Sequence, residues 1–156
     1  MISRRQFLRG DIAGSKAPLR PPWALPEAQF IDACNRCGAC VPACPEKIIV
    51  VQRGYPAIDF SRGACTFCAG CLKACIPGAL KETAGEPPWR VLPRIARNCI
   101  ANDNAVCRAC GDACAATAIR FRPRLGGAAR PEVDGAKCTG CGACVAPCPV
   151  TAITLA

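Results

Sequence analysis

The chain has 156 residues, with 20 Lys and Arg against 11 Asp and Glu, no histidine, 5% aromatics and sixteen cysteines. That length allows one or two small domains, and so few aromatics exclude a large carbon core; part of the 51% hydrophobic content is cysteine itself. The missing histidine excludes His-ligated haem, Rieske centres and mixed Cys/His zinc sites, and removes the commonest general base.

Residues 1–28 read as a basic, proline-rich, irregular tail. It opens MISRRQFLRG, where Arg4 and Arg5 precede Phe7 and Leu8, as in a twin-arginine export signal. Such a signal also needs an apolar stretch of about 7–15 residues. Asp11, Lys16, Arg20 and three prolines stand there instead, so the pair reads as part of a solvated tail or a docking arm. No other segment approaches the roughly 18 apolar residues of a membrane span. A soluble, cytoplasmic protein is expected.

Residues 29–81 read as a first module. Cys34, Cys37, Cys40 and Cys44, followed by Pro45, make a C-x2-C-x2-C-x3-C run, and Cys65, Cys68, Cys71 and Cys75 repeat it. Between them KIIVV and AIDF predict two paired strands. Residues 82–97 carry Pro87, Pro88 and Pro93 and read as a semi-rigid connector. Trp89 within it is expected to pack into a core.

Residues 98–156 read as a second module. Its first run, Cys99, Cys107, Cys110 and Cys114, departs from the pattern: IANDNAV (100–106) separates its first two cysteines and is expected to loop out, Asn102, Asp103 and Asn104 suiting a turn. AIRFR, a Gly126-Gly127 loop and PEVD predict a hairpin. Cys138, Cys141, Cys144 and Cys148, with Pro149 after, restore the spacing, and TAITLA predicts a last strand. Quartets thus alternate with short β-branched strands, as a duplicated unit would.

This spacing holds cubane [4Fe–4S] clusters in bacterial ferredoxins. Disulfides belong to small secreted scaffolds, and all-cysteine zinc sites use pairs rather than triplets plus a fourth thiol. Sixteen thiols at four per cubane predict four [4Fe–4S] clusters, and a thin core predicts that the chain does not fold properly without iron and sulfide. Each oxidised core with its four thiolates carries about 2−, so four sites offset nearly all of the formal +9. The basic residues look spread along the chain, and nucleic-acid binding is not expected.

In two-cluster ferredoxins the fourth cysteine of each run binds the other cluster. Applied here, Cys34, Cys37 and Cys40 share a site with Cys75, and Cys65, Cys68 and Cys71 share one with Cys44. Cys99, Cys107 and Cys110 join Cys148, while Cys138, Cys141 and Cys144 join Cys114. A crossed arrangement, run one with run four and run two with run three, stays open. The complete strand-turn-strand insert between runs one and two favours the tandem form. The fold class expected is small α+β: two tandem bacterial 2[4Fe–4S] ferredoxin-like modules.

SRRQFLRG, RPPW at 20–23, GYP at 54–56, CRACGDAC in the long-gapped third run and IRFRP at 119–123 together resemble the NapF family. These are ferredoxin-type accessory proteins of periplasmic nitrate reductase systems. The resemblance implies a cytoplasmic four-cluster protein that contacts the molybdenum-containing catalytic subunit before export and assists its maturation. An electron-wire subunit between a membrane quinol oxidase and a reductase, and a structural zinc module, are the alternatives.

Overall fold

Each half of the chain closes by pairing its first extended segment with its last. In the computed structural model, which describes residues 18–156, Ala24 bridges Leu80 antiparallel. Flanking backbone bonds run from Leu25 N–H to Ala79 O (3.1 Å) and from Lys81 N–H to Trp23 O (2.8 Å). In the second half β3 (Pro93–Ile95) pairs antiparallel with β6 (Ile153–Leu155). The modules therefore begin further upstream than expected. Residues 18–28, read as tail, lie on the first module with Pro21 and Pro22 fully buried, and residues 93–95, read as connector, are a strand of the second. Proline is tolerated at such edges because no ladder donor is needed there. Arg4 and Arg5 lie outside the described residues.

Between its ends each module carries one hairpin. β1 (Ile49–Gln52) and β2 (Tyr55–Ile58) are joined by Arg53 and Gly54, both left-handed at φ 53° and 79°. Two such residues make the tight turn whose twist matches paired strands. The second hairpin is longer, β4 (Ile119–Arg124) against β5 (Gly127–Val133), with a register break between Arg122 and Arg124. Pro123 stands at the break and has no N–H to give the ladder.

Helices are short: α1 (Glu27–Ala33), α2 (Gly70–Lys73) and α3 (Ala109–Asp112). Only α1 has a large buried aromatic, Phe30, which meets Tyr55. Arg20 of the RPPW segment closes over both rings, at 4.9 Å and 5.4 Å from their centroids. Its guanidinium donates to both carboxylate oxygens of Glu27 (2.9 and 2.6 Å) and to Pro56 O (3.0 Å). A planar fork can satisfy a carboxylate and a carbonyl while stacking on rings; an ammonium could not.

The segment 100–106 does not simply loop out. Ile100–Asp103 form one 3-10 turn that packs along β5, with Ala101 buried. The arginines are not evenly spread either: Arg120, Arg122, Arg124 and Arg130 are all exposed on the second hairpin.

The modules meet along a seam. Cys65 N–H donates to Cys141 O at 2.8 Å. Trp89 packs edge-on against Phe60 (5.8 Å) and Phe67 (6.0 Å) of the first module, and its indole N–H donates to Thr139 O (3.3 Å) of the second. Gly142 faces Phe60 so closely that a Cβ there would fall 2.1 Å from the ring. Gly142→Ala is therefore expected to destabilise the intact protein by about 2–4 kcal/mol, from overpacking plus left-handed strain, and so to lower its thermal midpoint. Gly38→Ala is the control: its φ of 74° imposes similar strain, but nothing lies within 4 Å. Equal losses in the two melts would remove the seam contact from the argument.

Candidate metal centres

All sixteen cysteines are unbridged. Cys44 joins Cys65, Cys68 and Cys71 in lining one pocket. Cys148 joins Cys99, Cys107 and Cys110 in lining a second, and Cys114 joins Cys138, Cys141 and Cys144 in lining a third. Around the remaining quartet, Cys34, Cys37 and Cys75 lie near enough to Cys40 to act on its thiol. In every case three cysteines come from one run and the fourth from the other run of the same module. Cys99 lines the same pocket as Cys107, Cys110 and Cys148 despite the long gap.

Among the described residues no three Cys, Asp or Glu side chains converge tightly enough to hold one metal ion. A tetrahedral zinc would draw its sulfurs in to about 2.3 Å from one centre. In three of the quartets the four thiols line a single pocket, as the thiolates of a polynuclear core would.

Local backbone conformation builds the walls. In runs one, two and four the residues two and four after the first cysteine are left-handed: Arg36 and Gly38, Phe67 and Ala69, Gly140 and Gly142. Left-handed residues alternating with ordinary ones turn successive N–H groups to one side, a concavity that attracts anions. A cluster with four thiolates carries net negative charge, so the donor set and backbone suit the same guest. Run three lacks this pair: the 3-10 turn, with Cys99 as its N-cap, stands between its first two cysteines.

A second device follows each fourth cysteine. The residue three further on donates its N–H back to the cysteine carbonyl: Lys47 to Cys44, Gly78 to Cys75, Thr117 to Cys114 and Thr151 to Cys148, at 2.9–3.2 Å. All four are left-handed. The chain then turns an N–H onto sulfur: Ala118 to Cys114 Sγ (3.3 Å), Ala152 to Cys148 Sγ (3.2 Å) and Leu80 to Cys75 Sγ (3.3 Å). In run two the donor lies one residue further along, matching Ile76 ahead of Pro77. Hydrogen bonds to sulfur tune the potential of a bound cluster. A β-branched residue held left-handed costs about 1–2 kcal/mol, so Thr117 and Thr151 mark positions where this turn overrides local preference.

The third cysteine of every run, Cys40, Cys71, Cys110 and Cys144, is buried. Burial is the largest influence on each thiol and pushes it up, to about 11 for Cys71 and about 12 for Cys144; neighbouring thiols add to the rise. Four thiolates packed this way need a positively charged core among them, and loading one must release protons.

Comparison with known proteins agrees with this geometry. Models of the 4Fe-4S dicluster domain match residues 33–80 and 105–152. The Escherichia coli K12 protein described as ferredoxin-type protein NapF is 41% identical over 97% of this chain and 93% of the relative. This chain belongs to the NapF family. The Haemophilus influenzae NapF is 38% identical over 99% of the chain and 93% of its own length. A methylamine utilization ferredoxin-type protein MauM from Methylophilus methylotrophus is 32% identical over 87% of the chain and 68% of its length.

As a NapF-type protein the chain is a ferredoxin-type iron–sulfur protein with two 4Fe-4S dicluster domains in tandem. The first match contains all eight cysteines of the first module; the second starts after Cys99. Among the described residues no helix is long and apolar enough to cross a membrane. The alternating left-handed residues escaped the sequence reading, although Gly38, Gly140 and Gly142 stand at three of the positions.

Proposed function

We propose that the chain carries four [4Fe–4S] clusters and works in the cytoplasm as an accessory electron-transfer protein. Its partner in this reading is the catalytic subunit of a periplasmic nitrate reductase, which it binds and helps to mature before export. The observation that carries the cofactor count is the division of sixteen cysteines into four quartets, three of them each lining a single pocket. Cys34, Cys37, Cys40 and Cys75 would hold one cluster, and Cys44, Cys65, Cys68 and Cys71 another. Cys99, Cys107, Cys110 and Cys148 would hold the third, and Cys114, Cys138, Cys141 and Cys144 the fourth. A bound cluster supplies one-electron chemistry; the protein supplies thiolates, N–H donors to sulfur and a docking surface. Membership of the NapF family supports the choice of partner.

Anaerobic capture of the tagged holoprotein from nitrate-grown cells tests this. The reading expects the reductase catalytic subunit, still bearing its export signal, in the soluble fraction. Recovery solely with membrane quinol-oxidising proteins would make the chain an electron-wire subunit and end the maturation reading.

A further inference from the structure

The second hairpin is longer than the first, and its two faces differ. Ile119, Phe121, Pro131 and Val133 pair across the strands and line the inner face. Arg120 lies opposite Glu132, and Arg122 lies opposite Arg130, on the outer face. Arg124 follows beyond the register break, and Leu125 at the tip is fully exposed. Four arginines face one carboxylate, which is taken by Arg122 (Nε to Oε2, 2.6 Å). Among the described residues no carboxylate pairs with Arg120, Arg124 or Arg130. Like charges directly opposite each other destabilise a strand pair, so nothing in the fold rewards the Arg122–Arg130 juxtaposition.

The hairpin is braced to its tip. The 3-10 turn peculiar to run three packs along β5, and Asn104 Oδ1 lies 2.7 Å from where a Cβ on Gly127 would stand. From below, Phe121 rests on Gly111 of α3 under the guanidinium of Arg108, 4.6 Å from the ring centroid. Pro131, between exposed Arg130 and Glu132, is also part of the wall of the cavity lined by Cys99, Cys107, Cys110 and Cys148. A partner on the outer face is thus one hairpin away from that quartet.

We propose that the outer face of this hairpin, Arg120, Arg122, Arg124 and Arg130 with Leu125 at its tip, docks an acidic surface of a protein partner beside the run-three site. The guanidinium fork matches carboxylates, as the Arg122–Glu132 pair shows within the chain itself. An apolar tip within a ring of arginines suits a protein interface. Single-stranded nucleic acid would be served by stacking aromatics, and the one aromatic here, Phe121, faces inward. The inference rests on the proposed function only in requiring some protein partner.

The test uses anaerobic holoprotein and immobilised poly-L-glutamate. Arg122→Glu with Arg130→Glu is expected to weaken binding by about tenfold or more at moderate salt, with iron content unchanged. Arg94→Glu with Arg97→Glu changes net charge equally on another exposed surface and is expected to cost less than about threefold. Arg122→Gln with Arg130→Gln serves if the reversal loses iron, and the wild type should show slowed amide exchange over 119–133 when bound. Equal losses from both pairs would reduce the effect to bulk charge and overturn the proposal. Displacement of the probe by stoichiometric duplex DNA would overturn it in favour of a nucleic acid. Because poly-L-glutamate is indifferent to the cellular partner, a hairpin-dependent result beside a failed capture of the reductase would leave this inference standing and remove the other.

Discussion

Stripping iron and sulfide from the protein under anaerobic conditions is expected to abolish cooperative folding of both modules. The buried core of the second module is Cys110, Ile119, Cys144 and Ile153 with the alanines at 101, 118, 128 and 152, so two of its four side chains larger than alanine are ligands. The first is larger, with Phe30, Ile48, Ile49, Tyr55, Phe60 and Leu80, yet Cys40 and Cys71 are part of it. Burying one aliphatic side chain contributes about 1.5–3 kcal/mol, and ordering one residue costs about 1–2 kcal/mol, so a core this thin cannot hold the chain without its guests. Structural metal sites contribute on the order of 10 kcal/mol, comparable to the whole stability of a small domain. Far-ultraviolet dichroism and amide exchange should show loss of hairpin protection, the second module opening at least as fully as the first. A sharp thermal transition in the stripped protein would show that the polypeptide alone suffices.

Pairs of cysteine substitutions should reveal which thiols act together. Cys148→Ser alone is expected to remove one cluster, about a quarter of the bound iron. Adding Cys107→Ser should remove almost no more, because both line the same cavity. Adding Cys138→Ser should remove a second quarter, since Cys138 lines the neighbouring cavity. Substitutions within one cooperating unit fail to add, and separate units add. If run four instead paired with run one, Cys148→Ser would be silent on top of Cys37→Ser and additive with Cys107→Ser. Iron analysis of four anaerobic preparations separates the two arrangements.

Cysteine spacing made the candidate sites legible before any geometry was known, because a cubane's thiolates leave their period in the sequence. The hairpins were legible as KIIVV with AIDF and AIRFR with PEVD, although the second turn falls at Leu125-Gly126 and Gly127 already belongs to the strand. The closing strand pairs were not. Pro21, Pro22 and Pro93 signal loops locally, and only the partners at Leu80 and Leu155 reveal that these are edges. The insert in run three carried turn residues, so it read as a loop; the strand it packs against lies more than twenty residues downstream. Arg120, Arg122 and Arg124 alternate visibly, but bringing Arg130 onto their face required the register of the opposite strand. Left-handed Phe67, Lys47 and Thr151 were invisible because Phe, Lys and Thr give no sign of a positive φ; each turns its N–H back onto a cysteine two or three residues earlier.

The exchange of fourth cysteines within each module also has a meaning in time. A ribosome delivers this chain from its N-terminus, so Cys34, Cys37 and Cys40 emerge well before Cys75, which stands with them. Cys99 likewise waits for Cys148. No site can be finished on a short nascent segment, and the two sites of a module reach completion almost together, when its second run clears the exit tunnel. Iron offered too early would meet three thiols and an open edge. Whatever machinery loads this protein has to act on a nearly whole module, and premature termination before the third cysteine of a second run leaves both of that module's sites short of ligands.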